Sequence, residues 1–152
     1  MNTKYIDFSH DERSEALFSF LVNDGYTKEE MDHIKFKVND DDTSYIDLDG
    51  ENVNESYMVL TDEEAENKCN EYIWDNLWSF QAKFLQYYMP LEVQHIEKIQ
   101  ELYEDANDIL VNLVTNKGGL ERDAKLADGR GHFLASYDGA EEEYSNYFIY
   151  RC

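Results

Sequence analysis

From Thr61 to Met89 the large apolar side chains recur at helical intervals, and no other stretch restricts the possible folds as strongly. Cys69, Tyr72, Ile73, Leu77, Phe80, Phe84 and Tyr88 follow at spacings of three and four, with Trp74, Trp78 and Leu85 widening the stripe. A stripe this broad predicts a helix buried on more than one side, opened by a capping box between Thr61 and Glu64. Pro90 suits the first turn of a second helix running to about Val114. Its buried face would hold Val93, Ile96, Ile99, Tyr103, Ala106, Leu110 and Leu113, and Gly118-Gly119 would stop it. The short connection predicts antiparallel neighbours.

Outside this region the period changes. Lys4 to Phe8 reads as a short strand, and Ser9 with Glu12 as a capping box before Ala16, Leu17, Phe20 and Leu21, a helix ending at Gly25. Thr27 and Glu30 form another box, opening a brief helical turn through Met31 and His33. Ile34, Phe36 and Val38 alternate with Lys35 and Lys37, the pattern of a half-buried strand. Tyr45, Ile46 and Leu48, then Tyr57 to Leu60, predict two strands around a loop containing Asp49-Gly50. Leu120 to Ala127 adds one or two helical turns. His132, Phe133, Leu134 and Tyr137 read as a strand, Asp138-Gly139 as a turn, and Tyr147 to Tyr150 as a closing strand. The prediction is an α+β fold, a central antiparallel helix pair packed on a small antiparallel β-sheet, as one acidic domain over residues 1–152.

At 152 residues, 42% of them hydrophobic, with 8 Phe, 12 Tyr and 2 Trp, the chain is too rich in large apolar groups to be disordered. Against that core stand 34 acidic and 13 basic side chains, a net charge of -21. A surface so charged repels nucleic acid and anionic membranes, so neither is a direct ligand; the expected partner is a basic protein surface. Halophilic adaptation of the whole surface is the alternative, and uneven clustering argues against it. Residues 1 to 60 hold 15 acidic and 5 basic side chains, 61 to 114 hold 12 and 3, and 115 to 152 hold 7 and 5. On the helix after Pro90, Glu97, Glu101, Glu104, Asp105 and Asp108 form an acidic stripe. Carboxylates four residues apart lie ~6 Å apart along a helix axis, close to the phosphate interval of a nucleic-acid strand. Asp40, Asp41 and Asp42 add a second acidic run. For any one stripe, a solvated helix face is the competing explanation.

Cys69 and Cys152 form no CxxC pair, the start carries no signal-peptide pattern, and no apolar run approaches a membrane span. A reduced cytosol is the expectation, which makes Asn54-Glu55-Ser56 a chance glycosylation triplet. Placing Gly50 at the glycine position of a calcium loop puts Tyr45 where a carboxylate is required. His10, His33, His95 and His132 lie at no zinc spacing. No cofactor, metal site or enzymatic activity is expected. The best catalytic suspects are Arg130, His132 and Asp138, which a hairpin would bring together; turn formation and ion pairing explain the same residues without chemistry.

The stretch Asp128-Gly129-Arg130-Gly131-His132-Phe133-Leu134, with Tyr137-Asp138-Gly139 and Tyr147-Phe148-Ile149-Tyr150-Arg151, resembles the C-terminal end of small acidic bacteriophage and prophage proteins. The likeness covers about the last 25 residues and is weaker around Glu71 to Phe84. It implies a phage or mobile-element origin and carries over no catalytic or binding residue. Small, acidic and phage-like, the chain fits an inhibitor acting in the host cytoplasm. Such an inhibitor would bind a basic nucleic-acid-processing or defence enzyme by nucleic-acid charge mimicry, as anti-restriction or anti-CRISPR proteins do. The alternative is a structural or adaptor protein, a homodimer in one form, using Trp74, Trp78, Tyr87 and Tyr88.

Overall fold

The computed structural model describes residues 3–6, 12–51 and 53–152, the first four as backbone only. Ser9, and the Asp7-Phe8 end of the expected first strand, lie outside the described residues. Two compact units make up the chain. The first comprises residues 1–66 with 130–152, and the second residues 67–129. The fold is α+β with an antiparallel sheet.

The first unit is built on six antiparallel strands in the order β1-β2-β3-β4-β6-β5. β1 (Thr3–Ile6), β2 (Lys35–Asn39), β3 (Tyr45–Gly50) and β4 (Val53–Leu60) form a meander; β6 (Tyr147–Arg151) joins β4, and β5 (Glu142–Tyr144) is the outer strand. Alternation sets the register. Phe36 lies opposite Leu48, Val38 opposite Ile46, Ile46 opposite Tyr57 and Val59 opposite Ile149, so one face is apolar across four strands. It buries these residues with Ala16, Leu17 and Leu21 of α1 (Glu12–Asn23) and with Met31 of α2 (Lys28–Asp32). A fully buried Leu or Phe is stabilised by roughly 2 kcal/mol relative to exposure. The Thr27–Glu30 and Thr61–Glu64 capping boxes both form.

Three details of this unit depart from the sequence reading. Asp49 and Gly50 end β3 instead of forming the loop. Gly50 pairs with Val53, and a Cβ there would stand 3.3 Å from the His33 carbonyl oxygen. The expected strand at His132 to Leu134 is a helical turn, α8 (Arg130–Leu134), which buries Gly131, Phe133 and Leu134. So short an apolar run does not by itself distinguish strand from helix. Gly131 must be glycine here, since a Cβ would approach the Gly139 carbonyl oxygen to 2.5 Å. The hairpin of this region is instead β5–β6, whose turn residues Ser145 and Asn146 have φ of 52° and 69°, the left-handed geometry of a two-residue hairpin loop.

In the second unit, the residues expected as two long helices form short ones. α3 (Asp62–Asp75), whose first turn belongs to the first unit, is followed by a 3-10 turn (Leu77–Ser79) and α4 (Ala82–Leu85). Then come α5 (Val93–Gln100), a 3-10 turn (Tyr103–Ala106) and α6 (Asn107–Leu113). Polar side chains occupy the backbone groups at the breaks. Asn107 donates to the Trp74 carbonyl at 2.7 Å and accepts from the Trp78 N–H at 3.3 Å. Gln100 donates to the Phe80 carbonyl at 2.6 Å, and the Thr115 hydroxyl and N–H both donate to that of Tyr88. These bonds satisfy buried groups that helix ends leave unpaired. Gly118 and Gly119 stop nothing: they lie in the first turn of α7 (Lys117–Asp128), where the Asn116 side chain accepts from the Gly119 N–H. Ile73, Leu77, Leu85, Ile96, Leu110 and Leu120 are fully buried.

Candidate acidic interface

The eight carboxylates singled out from the sequence fall into both units. Asp40 and Asp41 are exposed in the β2–β3 loop of the first unit, while Asp42 turns inward to accept from the Ser44 N–H and hydroxyl. Asp42 therefore shapes its own loop, an Asx-type turn. In the second unit Glu97, Glu101, Glu104, Asp105 and Asp108 are all exposed. They do not lie along one helix. Glu97 belongs to α5 and Glu101 caps it, Glu104 and Asp105 sit on a 3-10 turn, and Asp108 starts α6. Between them Tyr103 adopts φ of 54°, a left-handed conformation that breaks the helix. A regular ~6 Å carboxylate ladder is confined to α5. Lys98 pairs with Glu101 at 3.2 Å, neutralising part of the stripe at exposed positions.

The charge itself is concentrated elsewhere. The first unit carries 23 acidic and 7 basic side chains, net -16, and the second 11 and 6, net -5. Charge counts over the consecutive segments 1–60, 61–114 and 115–152 do not reveal this, because residues 130–152 belong to the first unit. Glu141, Glu142 and Glu143 lead into and along the edge strand β5, and Asp62, Glu63, Glu64 and Glu66 crowd the start of α3.

Two arginines hold this acidic region together, and only one was noticed in the sequence. Arg13 of α1 lies 5.3 Å from the Tyr147 ring, donates to the Val59 carbonyl at 2.7 Å and pairs with Glu64 at 2.8 Å. Arg130 of α8 lies 4.7 Å from the Phe148 ring and pairs with Asp62 at 2.8 Å, Glu66 at 3.2 Å and Glu141 at 2.9 Å. Tyr147 and Phe148 are successive residues of β6 and point to opposite faces. The two arginines thus grip the first turn of α3 from both sides of the sheet. Burial works against the Arg130 charge, but the hydrogen bonds with Glu141 and Asp62 prevail and hold its proton more tightly than usual. Burial likewise opposes ionisation of Glu64, yet Arg13 and Thr61 bring its carboxyl below the ordinary range.

Arg130, His132 and Asp138 are not brought together as one site. Arg130 is engaged by the three carboxylates above, His132 is exposed with its ring edge-on to Phe133, and Asp138 accepts from the Ala140 N–H. Sequence reasoning missed a second network around Glu55. Its carboxylate accepts from the Tyr26 and Tyr57 hydroxyls at 2.9 and 2.8 Å and pairs with Arg151 at 3.2 Å, while Tyr137 covers the Arg151 guanidinium. Register was the missing signal: Tyr57 lies opposite Arg151. Burial first, then Glu55, pushes the Tyr26 hydroxyl up to about 12 and that of Tyr57 further. Among the described residues no group of three or more His, Cys, Asp or Glu is placed to hold a metal ion, and no helix is long and apolar enough to cross a membrane.

Of the four aromatics considered for an adaptor surface, Tyr87 alone is exposed. Tyr88 is buried with its hydroxyl on Asp123, and Trp74 and Trp78 are half-buried, the Trp74 indole N–H donating to Glu121. Comparison of the chain with protein-family models, curated proteins and solved structures finds no match.

Proposed function

We propose that this protein is a phage-encoded acidic inhibitor that binds the Lys/Arg-lined surface of a host nucleic-acid-processing or defence enzyme and takes the place of nucleic acid there. The observation that carries this reading is the net charge of -21 on a folding, aromatic-rich chain. Exposed Asp40, Asp41, Glu97, Glu101, Glu104, Asp105 and Asp108 supply contact carboxylates. The mimicry is one of charge density and not of a straight phosphate ladder, because the stripe bends at Tyr103. Binding of this kind is fast and strongly salt-dependent, since exposed charges are screened over ~8 Å at physiological ionic strength.

Affinity capture of the tagged protein from bacterial lysate, at low and high salt, tests the proposal. A DNA- or RNA-binding enzyme recovered at low salt, lost at high salt and competed away by nucleic acid is the expected result. Recovery of the protein alone, regardless of salt, overturns it. The second reading, a phage adaptor or homodimer, is favoured by the exposed Tyr72, Tyr87, Leu102, Tyr103, Ile109 and Leu126 of the second unit. Sedimentation equilibrium showing a salt-insensitive dimer dispersed by Tyr87→Ser would support it.

A further inference from the structure

We propose that Leu102 and Tyr103 form an apolar anchor through which the acidic bend of the second unit docks a basic amphipathic segment of a partner protein. The inference rests on the charge-mimic reading and sharpens it by specifying the partner's chemistry. Leu102, Tyr103 and Ile109 remain 52%, 71% and 42% exposed within eight consecutive positions. The surrounding stretch, Glu97 to Asp108, carries five carboxylates and the single cation Lys98. An apolar anchor with such an acidic surround is complementary to an apolar side chain flanked by Lys or Arg. A segment that is cationic only would leave Leu102 and Tyr103 in water.

The type of residue and its backbone fit this use. Tyrosine is enriched among the few side chains that dominate protein interfaces, because its rigid ring buries a large area at little entropic cost. Tyr103 is also in the left-handed region at φ 54°, where glycine or asparagine would be held with less strain. That conformation places an exposed aromatic at the bend between α5 and the next turn.

The test compares two fluorescein-labelled synthetic peptides of equal charge, an amphipathic Lys/Leu helix and an oligolysine, titrated with the full chain at physiological salt. The amphipathic peptide should bind about tenfold more tightly, the scale of one aromatic anchor. Tyr103→Gly, which relaxes the backbone, and Tyr103→Asn, which tolerates the same φ, should each abolish that advantage and leave oligolysine binding unchanged. Combined Glu101→Gln, Glu104→Gln and Asp105→Asn substitutions should weaken both peptides. Equal binding of the two peptides, or undiminished amphipathic binding by both Tyr103 variants, overturns the anchor while charge mimicry stands. No binding of either peptide even at low salt overturns both.

Discussion

The first unit contains most of the charge and, among the described residues, the second contains most of the exposed apolar side chains, and their modes of assembly differ as much as their surfaces. In the first, strands distant in sequence pair along a sheet, and Arg13 and Arg130 neutralise carboxylates that would otherwise repel. In the second, short helices meet at breaks bridged by Asn107, Gln100 and Thr115. Among the described residues eight large hydrophobic side chains are exposed, and of these Tyr45 and Tyr137 belong to the first unit. An acidic chain therefore has two ways to stay folded: place cations where carboxylates crowd, or lower the charge and splice helix ends with neutral amides.

The sharpest way to break this contrast is Arg130→Ala. It leaves Asp62, Glu66 and Glu141 facing one another, but these carboxylates are 74%, 43% and 29% exposed and stay solvated, so the expected loss is that of the charged hydrogen bonds, about 2 kcal/mol in denaturant unfolding. Lysine should restore less than half, lacking the planar fork that engages Glu141 through two nitrogens. A loss under about 0.5 kcal/mol, the scale of an ordinary surface substitution, would remove Arg130 from the account.

In the second unit the corresponding change is Asn107→Ala, which strands the Trp74 carbonyl and the Trp78 N–H. It should cost about 2 kcal/mol, read by hydrogen exchange at amides of α3 and α6. Unchanged protection there would mean that packing alone sets the helix breaks.

Alkaline titration probes both units at once. Burial, then Asp123, pushes the Tyr88 hydroxyl up to about 12, as burial and Glu55 do for Tyr26. A raised folded-state pKa favours the protonated, folded form, so this stability is intact below the unfolded value of about 10 and is lost as pH rises through about 12. Phenolate absorbance should lag behind that of free tyrosine until unfolding releases it. Tyr57→Phe should cost about 1 kcal/mol at neutral pH, the worth of one hydrogen bond.

Two smaller effects refine the comparison. Raising ionic strength should slow hydrogen exchange more in the first unit than in the second, by under about 1 kcal/mol, because self-repulsion scales with net charge. Equal salt responses would separate charge from the division into units. Tyr103→Gly should raise stability by about 0.5 kcal/mol in thermal unfolding, the strain relieved outweighing the added freedom of the unfolded chain.

Much of the first unit was legible in the sequence, because strand alternation and capping boxes are local. Phe36, Val38, Ile46 and Leu48 are buried as their period demands, and Thr27 and Thr61 cap the helices that follow them. The second unit was legible in most of its buried residues, but not in Tyr72 and Tyr103, which were expected on buried faces and are exposed, nor in its breaks. Ile73, Leu77, Ile96 and Leu110 keep to the core whether the helix is continuous or bent. Of the eight carboxylates singled out, all but Asp42 are exposed, and its turn bond depends on the position of Ser44.

Composition and periodicity act within a few residues of chain, so they suffice for the α+β class, the strong negative charge and the identity of most core residues. Which carboxylates are neutralised and which remain available depends on contacts between residues far apart in the chain. Arg130 reaches Asp62 across 68 positions and Arg13 reaches Glu64 across 51. Such contacts also bring residues 130–152 into one unit with the N-terminal strands, concentrating the charge there. Electrostatic energy depends on distance in space, and that distance exists only once the sheet has brought α1, the start of α3 and α8 together.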